Sequence, residues 1–182
     1  MRVVTGTYKG QQLRTLQGSH TRPTTGKVRE AVFSSLAKEV VGAVWLDLFA
    51  GSGSMGIEAL SRGASFCLLA DNNKNACAII RQNLASLGIG KDKARLYCTD
   101  AEKACRLMAD DFRGAIDIAY LDPPYDEKSL YSRVLNSLQP LMAPAALLVV
   151  EHQRGWLPEA LWCKYIKTKT YGLSAVSFFQ KG

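Results

Sequence analysis

The sequence predicts an α/β fold with a mostly parallel, seven-stranded sheet and an antiparallel closing strand. First, apolar runs alternate with helical patterns five times between residues 44 and 150. Second, a turn rich in glycine follows the first apolar run, as it does in Rossmann-like folds. Third, two strand-like segments at 162–170 and 173–180 end the chain with only Tyr171-Gly172 between them, which indicates an antiparallel pair.

The predicted elements follow from local sequence patterns, taken in chain order. Residues 2–16 indicate a hairpin and 17–26 a loop of turn residues. We therefore divide the chain into a small basic N-terminal extension, residues 1–26, and a main domain, residues 27–182. Strands are expected at 44–48, 66–70, 95–98, 115–121 and 145–150. Helices are expected at 27–40, from the glycine turn to Arg62, and at 74–87, 101–109 and 129–138, with a slight helical pattern at 155–162.

The net charge of +7 is unevenly distributed along the chain. The first 29 residues contain six basic side chains and no acidic one, whereas residues 30–150 are nearly neutral. A basic segment on a nearly neutral body suggests a polyanionic partner, and nucleic acid is the first candidate. The alternative is a solvated basic surface that has no partner. The predicted phosphate contacts are Lys9, Arg14, Arg22, Lys27 and Arg29.

Composition argues against several other classes of protein. The chain has no run of about 18 apolar residues, and its N-terminus lacks the apolar stretch of a signal peptide, so we expect neither a membrane span nor secretion. The five cysteines are scattered without a CxxC pair, and only two histidines occur. We therefore expect no metal site, and reduced, mostly buried thiols in a cytoplasmic protein.

Acidic residues end four of the predicted strands: Asp47, Asp71, Asp100 and Asp122. Ligands of open α/β sheets bind beyond these carboxyl ends. Asp71 lies 20 residues after Gly51, close to the spacing of an acid that binds the ribose hydroxyl pair of a nucleotide. Asp100 is placed to accept a hydrogen bond from an adenine amino group. The alternatives are a cap or turn role for Asp71 and a helix cap for Asp100.

The turn after strand one contains Gly51, Gly53 and Gly56 in the sequence GSGSMG. Glycine permits positive φ and a close approach of a ligand to the backbone, and the following helix start offers unpaired N–H groups. This pattern predicts a cofactor that contains a nucleotide, but it leaves NAD and other adenosine cofactors open. The predicted cofactor contacts are Asp47, Phe49, Ala50, Gly51, Ser52, Gly53, Asp71, Asn72, Asp100 and Ala101.

The segment after strand four, Asp122-Pro123-Pro124-Tyr125, favours an adenosine cofactor other than NAD, because a dehydrogenase has no need of such a segment. Two prolines remove two backbone donors and fix φ, so the segment presents mainly acceptors. The tyrosine adds a flat face. Such a segment suits a planar base whose exocyclic amino group needs two acceptors and a stacking partner. We predict these four residues as catalytic, and the alternative is a sharp strand exit that contains two prolines.

Two motifs, the one that begins Asp47-Leu-Phe-Ala-Gly-Ser-Gly and the one from Asp122 to Tyr125, resemble those of amino-group methyltransferases that use S-adenosylmethionine. Together with residues 6–10 and the block RPTTGKVRE at 22–30, they resemble the bacterial 16S rRNA (guanine-N2)-methyltransferase D family, of the guanine 966 type. The block is the most specific part of this resemblance, because generic methyltransferases of this class lack it. Tyr125 stands where many members have Phe, and Asp71 where many have Glu.

The resemblance implies a Rossmann-like methyltransferase that uses S-adenosylmethionine to methylate N2 of a guanine in 16S rRNA. Asp122 and the Pro123 carbonyl would hold the amino hydrogens, and Tyr125 would stack on the base. The substrate is expected within a 30S subunit or assembly intermediate, and the enzyme as a cytoplasmic monomer. Three alternatives remain: an adenine-N6 methyltransferase on DNA or RNA, an NAD-dependent oxidoreductase with His152 as its only obvious base, and a non-catalytic RNA-binding module.

Overall fold

The computed structural model describes residues 1–16, 26–124 and 127–182. The strands are β1 Val44–Asp47, β2 Phe66–Ala70, β3 Ala94–Tyr97, β4 Ile116–Leu121, β5 Met142–Gln153, β6 Cys163–Tyr171 and β7 Ser174–Lys181. The helices are α1 Gly26–Ser35, α2 Ser54–Ser61, α3 Lys74–Ser86, α4 Ala101–Phe112 and α5 Lys128–Leu138, followed by a 3₁₀ turn at Gln139–Leu141.

The seven strands form one sheet in the order β3-β2-β1-β4-β5-β7-β6. Strands β1 to β5 pair in parallel, whereas β7 runs antiparallel to both β5 and β6. The predicted fold class is therefore confirmed. The strand order reverses between β1 and β4, and a crevice opens at such a point beyond the carboxyl ends of the strands.

Two apolar cores lie on opposite faces of the sheet, and alternation along β1 shows how the sequence builds them. Trp45 is fully buried in the core that includes residues of α1, α2 and α3. Leu46 is fully buried in the other core, with residues of α4 and α5. The same alternation directs Asp47 to the face covered by α1, α2 and α3. The carboxylate at the end of β1 is therefore on the side of the glycine turn and α2.

Helix α1 ends at Ser35 rather than at residue 40 as predicted. The Ser35 hydroxyl donates to the Ala31 carbonyl at 2.8 Å, a local bond by which serine competes with regular helix geometry. Turns follow as far as Gly42, which has a φ of 78°. Leu36 and Val40 remain buried through these turns, so the apolar periodicity is preserved although the helix is not.

Other boundaries also differ from the prediction. Helix α4 continues to Phe112, beyond residue 109. Strand β5 extends past 145–150 on both sides. Met142 pairs with Ile116 of β4 at its start, and the antiparallel partner β7 pairs with it as far as Gln153 at its end. Residues 155–162 form turns and extended chain instead of a helix. The length of β5 depends on pairing with other strands, which local periodicity does not encode.

Residues 1–16 fold back on themselves, but with less regular pairing than a hairpin of two strands. Arg2 and Gln12 form an isolated antiparallel bridge, supported by a 3.0 Å bond from the Val3 N–H to the Gln11 carbonyl. Val3 and Leu13 are buried in the core on the α1–α3 face. The predicted loop at 17–26 lies outside the described residues except for Gly26, which begins α1.

Candidate active site

The four predicted acids lie at the carboxyl edge of the parallel strands. Asp47 is the last residue of β1, and Asp71 and Asp122 directly follow β2 and β4. Asp100 follows β3 and is the N-cap of α4. Asp47 pairs in register with Tyr120 on the adjacent strand β4, so the glycine turn and the Asp122 exit begin side by side at the reversal of strand order.

The glycine turn is a compact loop fixed by backbone hydrogen bonds. The Gly53 N–H donates to the Ala50 carbonyl at 2.7 Å, and the Ala50 N–H donates to the Ala70 carbonyl of β2 at 2.9 Å. Gly51 and Gly53 have φ values of 55° and 78°, a region that favours glycine. No described atom lies within 4 Å of a Cβ built on Gly51, so the space in front of this residue is open.

Gly56 has a different role, because it allows α2 to pack closely on the sheet. A Cβ at this position would overlap the Cys67 sulfur and lie 2.6 Å from the Leu69 Cδ2 atom. Both neighbours are fully buried residues of β2. The third glycine of the motif therefore determines the distance between helix and strand, as in other Rossmann-like turns.

Asp47 is a buried carboxylate, and few hydrogen bonds replace the water that it loses on burial. Within the described part of the chain its side chain accepts one hydrogen bond, from the Phe49 N–H at 3.3 Å, and the residue is only 1% exposed. Burial raises the pKa of this carboxyl from 3.8 to about 7; the Phe49 hydrogen bond opposes the shift and the nearby Asp71 carboxylate adds to it. A cation bound beside Asp47 would favour its ionised form.

Asp71 holds the glycine turn in addition to its predicted ligand role. One carboxylate oxygen accepts from the Gly51 N–H at 2.8 Å, and the other accepts from the Asn73 N–H at 2.8 Å. Asn73 is the residue that caps α3, accepting from the Asn75 and Ala76 N–H groups. Each oxygen of Asp71 retains acceptor capacity for a hydroxyl. Asn72 is exposed beside it.

Asp100 forms the helix cap that was the alternative to its ligand role. Its side chain accepts from the Lys103 N–H at 2.8 Å at the start of α4. The residue is exposed, whereas Ala101 beside it is buried. A contact between Asp100 and adenine stays a prediction.

The exit from β4 places a half-buried carboxylate next to a buried proline. Asp122 is partly exposed, Pro123 is buried and Pro124 is exposed. Tyr125, predicted as the stacking residue, lies outside the described residues. Behind the exit, the Tyr120 hydroxyl donates to Glu151 at 2.9 Å. Burial raises the pKa of Tyr120 well above 10, and the carboxylates of Asp122, Glu151 and Asp47 contribute to the rise.

The predicted phosphate contacts separate into exposed and buried residues. Lys9, Arg14 and Lys27 are exposed, and the Arg14 guanidinium donates to the Gln82 side chain at 3.3 Å. Arg22 lies outside the described residues. Arg29 is only 4% exposed, so the prediction that it contacts phosphate is corrected.

Arg29 contacts the N-terminal residues and α2 instead of lying on the surface. Its guanidinium donates to the Arg2 carbonyl at 2.7 Å and lies 3.9 Å from the Glu58 carboxylate. Burial lowers the pKa of Arg29, and Glu58 opposes that shift. The basic composition of this segment gives no indication that Arg29 is buried. In α1, Arg29 directly follows Val28, which is also buried.

Three buried polar residues that lie outside the sequence motifs fasten residues 1–16 to the main domain. Glu58 accepts from the Val4 and Thr5 N–H groups at 2.8 and 3.1 Å. Ser61 accepts from the Tyr8 N–H at 2.9 Å through its hydroxyl oxygen. Asn83 accepts from the Arg14 N–H at 2.9 Å. The sequence offers one indication of this role, because each is a polar residue on the apolar face of its helix.

His152, the candidate base for an oxidoreductase, is unsuited to that role. The residue is 2% exposed, and its ring nitrogens lie 2.7 Å from the Ser177 hydroxyl and 3.0 Å from the Gln153 carbonyl. Burial lowers its pKa. Among the described residues, no cluster of three or more His, Cys, Asp or Glu side chains forms a metal site. None of the described helices is both long and apolar enough to span a bilayer.

Comparison with known proteins identifies the family. The model of the family described as "Conserved hypothetical protein 95" matches residues 1–180. The chain belongs to this family. Its similarity to YlbH of Bacillus subtilis (strain 168) is 39% identity over 185 residues, which cover 100% of this chain and 99% of that protein.

Two further similarities identify the family as one of methyltransferases. Ribosomal RNA small subunit methyltransferase D of Escherichia coli (strain K12) is 33% identical over 155 residues, covering 84% of this chain and 75% of that protein. The solved structure of yhhF from Escherichia coli matches with a TM-score of 0.86 and 29% identity, covering 100% of this chain and 97% of that one. The predicted methyltransferase class is confirmed, and with it the cofactor, S-adenosylmethionine. Methylation of guanine N2 stays a prediction.

Proposed function

We propose that this protein transfers a methyl group from S-adenosylmethionine to the exocyclic N2 of a guanine in small-subunit ribosomal RNA. The main support is the placement of the glycine turn and the Asp122-Pro123 exit at the ends of the adjacent parallel strands β1 and β4. Such an arrangement brings a cofactor site and an amino-group site to one crevice. The similarity to methyltransferase D of Escherichia coli supports the RNA class.

The residues at the carboxyl edge fit this cofactor. Asp47 provides a buried carboxylate for the ammonium group of the amino-acid part, and a bound cation would offset the desolvation that raises its pKa. The open space before Gly51 allows a ligand to approach the backbone. Asp71 retains acceptor capacity for the ribose hydroxyls, and Asp100 is exposed near the expected position of adenine. Phe49, Ala50, Ser52, Gly53, Asn72 and Ala101 complete the proposed contacts.

The acceptors at the β4 exit suit an exocyclic amino group. S-adenosylmethionine supplies an electrophilic methyl group, so the protein contributes mainly by positioning the groups. The N2 lone pair of guanine is delocalised into the ring. Asp122 and the Pro123 carbonyl accept the two amino hydrogens and thereby direct the lone pair out of conjugation. The carboxylate also stabilises the positive charge that grows on N2 during transfer.

The target base must leave its stack to reach these acceptors. Tyr125 stacks on the extruded base, and Pro124 stiffens the segment between them. Lys9, Arg14, Arg22 and Lys27 hold phosphates of the surrounding RNA, and Arg29 is no longer part of this set. The basic extension 1–26, together with Lys27 at the start of α1, therefore docks RNA, while the rest of the main domain 27–182 performs the chemistry. The enzyme acts as a cytoplasmic monomer on a 30S subunit or assembly intermediate.

Methyl transfer to defined particles tests the proposal. The protein is incubated with S-adenosylmethionine carrying a labelled methyl group and 30S subunits from a strain that lacks the corresponding gene. Nucleoside analysis of the 16S rRNA should identify N2-methylguanosine at a single site. Identification of N6-methyladenosine, or absence of transfer to both 30S subunits and deproteinised 16S rRNA, would contradict it. A preference for 30S subunits over free RNA would support recognition of an assembled particle.

A further inference from the structure

The Asn83 side chain connects two parts of the molecule that are far apart in sequence. Asn83 lies in α3 and is 1% exposed. Its amide oxygen accepts from the Arg14 N–H at 2.9 Å, and its amide nitrogen donates to the Arg14 carbonyl at 3.1 Å. The same nitrogen donates to the Ser52 carbonyl at 2.9 Å. The two amide hydrogens are thus both used, one by the Arg14 carbonyl and one by the Ser52 carbonyl.

The two ends of this bridge have different proposed ligands. Ser52 lies between Gly51 and Gly53 in the cofactor turn. Arg14 belongs to the basic extension, and its guanidinium is exposed beside Gln82. The backbone of a residue proposed to contact RNA is therefore fixed by the same side chain that fixes the backbone of the turn.

We propose that Asn83 is a positioning residue that couples cofactor binding to RNA binding. This inference rests on the proposed function, because it requires RNA to engage the extension. A cofactor that orders the glycine turn fixes the Ser52 carbonyl and hence the orientation of the Asn83 amide. That orientation favours the backbone position of Arg14 that is suited to RNA. By reciprocity, RNA must raise the affinity for the cofactor by the same factor.

The other attachments of the extension do not provide this direct connection. Glu58 and Ser61 hold residues 4–8 against α2, and their hydrogen bonds to the extension do not involve residues of the turn itself. Gln82 contacts the Arg14 side chain but, among the described hydrogen bonds, makes none to the turn. Of the described residues, Asn83 is the one whose side chain hydrogen-bonds to both the extension and the turn. Gln82 is therefore a matched control on the same helix.

The test measures how the binding of one ligand changes the affinity for the other. Affinity for unmethylated 30S subunits is determined with and without saturating S-adenosylhomocysteine, for the wild type, Asn83→Ala and Gln82→Ala. The wild type and Gln82→Ala should bind 30S subunits more tightly, by a factor of roughly five or more, when S-adenosylhomocysteine is present. In Asn83→Ala this enhancement should fall below about twofold, while each ligand still binds alone. Asn83→Ser, which retains one donor, replaces Asn83→Ala if the latter does not melt cooperatively.

A general loss of structure would weaken both single affinities without selectively removing their coupling. The inference is overturned if the enhancement is absent in the wild type or if Asn83→Ala retains it. Its failure remains distinguishable from failure of the proposed function. In the first case the wild type still forms N2-methylguanosine in 30S subunits, and in the second case it does not.

Discussion

At the residue scale, burial of the Asp47 carboxylate lowers the stability of the folded protein, and the same carboxylate is proposed to bind the cofactor. Its pKa is raised to about 7 in the folded protein, so the folded state holds a proton that the unfolded chain releases near 3.8. The free energy of unfolding should therefore fall as the pH rises from about 4 to 7 and remain lower above that range. Asn at this position cannot ionise and keeps an oxygen for the Phe49 N–H.

Asp47→Asn should be more stable than the wild type at pH 8, on the order of 2–4 kcal/mol, and no more stable at pH 3. The same change should weaken binding of S-adenosylmethionine at least tenfold, because the ammonium group loses its carboxylate. Urea unfolding at several pH values and calorimetry check the two effects. Asp110→Asn, on the exposed side of α4, is the control and should change neither. A pH-independent effect on stability would contradict the burial argument.

Asp122 is the residue on which the proposed chemistry depends most. Asp122→Ala and Asp122→Asn should lower kcat by roughly 10²–10³, because both remove the carboxylate that stabilises the growing positive charge, and Asp122→Ala also removes an acceptor for the amino group. Binding of S-adenosylhomocysteine and of 30S subunits should stay within about threefold of the wild type.

Single-turnover methylation separates this effect from substrate binding. Glu127→Gln is a suitable control, since Glu127 is exposed in the same connection between β4 and α5 and its side chain makes no cap hydrogen bond. Turnover by Asp122→Ala close to that of Glu127→Gln would exclude Asp122 as a catalytic residue.

Residue types predicted where the proposed site residues lie in the fold better than they predicted the contacts of the buried residues around them. Asp47 and the glycines of the turn could be placed from sequence because a strand, a turn and a helix start have recognisable local patterns. Arg29 was assigned wrongly, since a buried ion pair with Glu58 joins residues that are 29 positions apart and leaves no local trace. Asn83 was identified as part of a helical face, but its contacts with Arg14 and Ser52 depend on tertiary packing.

At the scale of elements, the approach of α2 to β2 determines where the glycine turn lies. Gly56→Ala would place a methyl group against Cys67 and Leu69, which are buried and have little room to move. We expect a loss of about 1–3 kcal/mol in stability and weaker cofactor binding, because α2 must shift away from the sheet and its first turn moves with it.

Denaturant unfolding and calorimetry with S-adenosylhomocysteine measure both consequences. Gly26→Ala is the matched control, because Gly26 is also helical and no described atom lies within 4 Å of an added Cβ. That substitution should be neutral or slightly stabilising. Unchanged stability and affinity in Gly56→Ala would show that the helix does not need this close approach.

The order of elements was predictable, but several of their ends were not. Alternating apolar strands and amphipathic helices predicted the parallel sheet, and Gly172 marked the last antiparallel turn. The length of β5 depends on β7, a partner more than twenty residues later, and α1 ends where Ser35 bonds back to its own helix. Local sequence encodes the order of the elements, whereas the length of β5 is determined by a pairing partner that is distant in sequence.

At the scale of the whole molecule, the uneven charge leads to a prediction about binding. The structure leaves Lys9, Arg14 and Lys27 exposed and removes Arg29 from the basic surface. Phosphate contacts release counterions, so each lost contact should both weaken binding and reduce its dependence on salt. The proposed cofactor site lies at the carboxyl edge of the sheet, and its affinity should be affected much less.

Reversing all three exposed residues to Glu should therefore weaken binding to unmethylated 30S subunits at least 100-fold at low salt and lower the slope of log affinity against log salt by about 2–3. Affinity for S-adenosylhomocysteine should stay within about twofold of the wild type. Binding titrations at several salt concentrations provide the slopes. Reversal of Lys91, Lys93 and Arg113, which are exposed outside the extension, changes the net charge equally and is the control. Equal losses in the two triple variants would show that net charge, rather than the position of these three basic residues, determines binding.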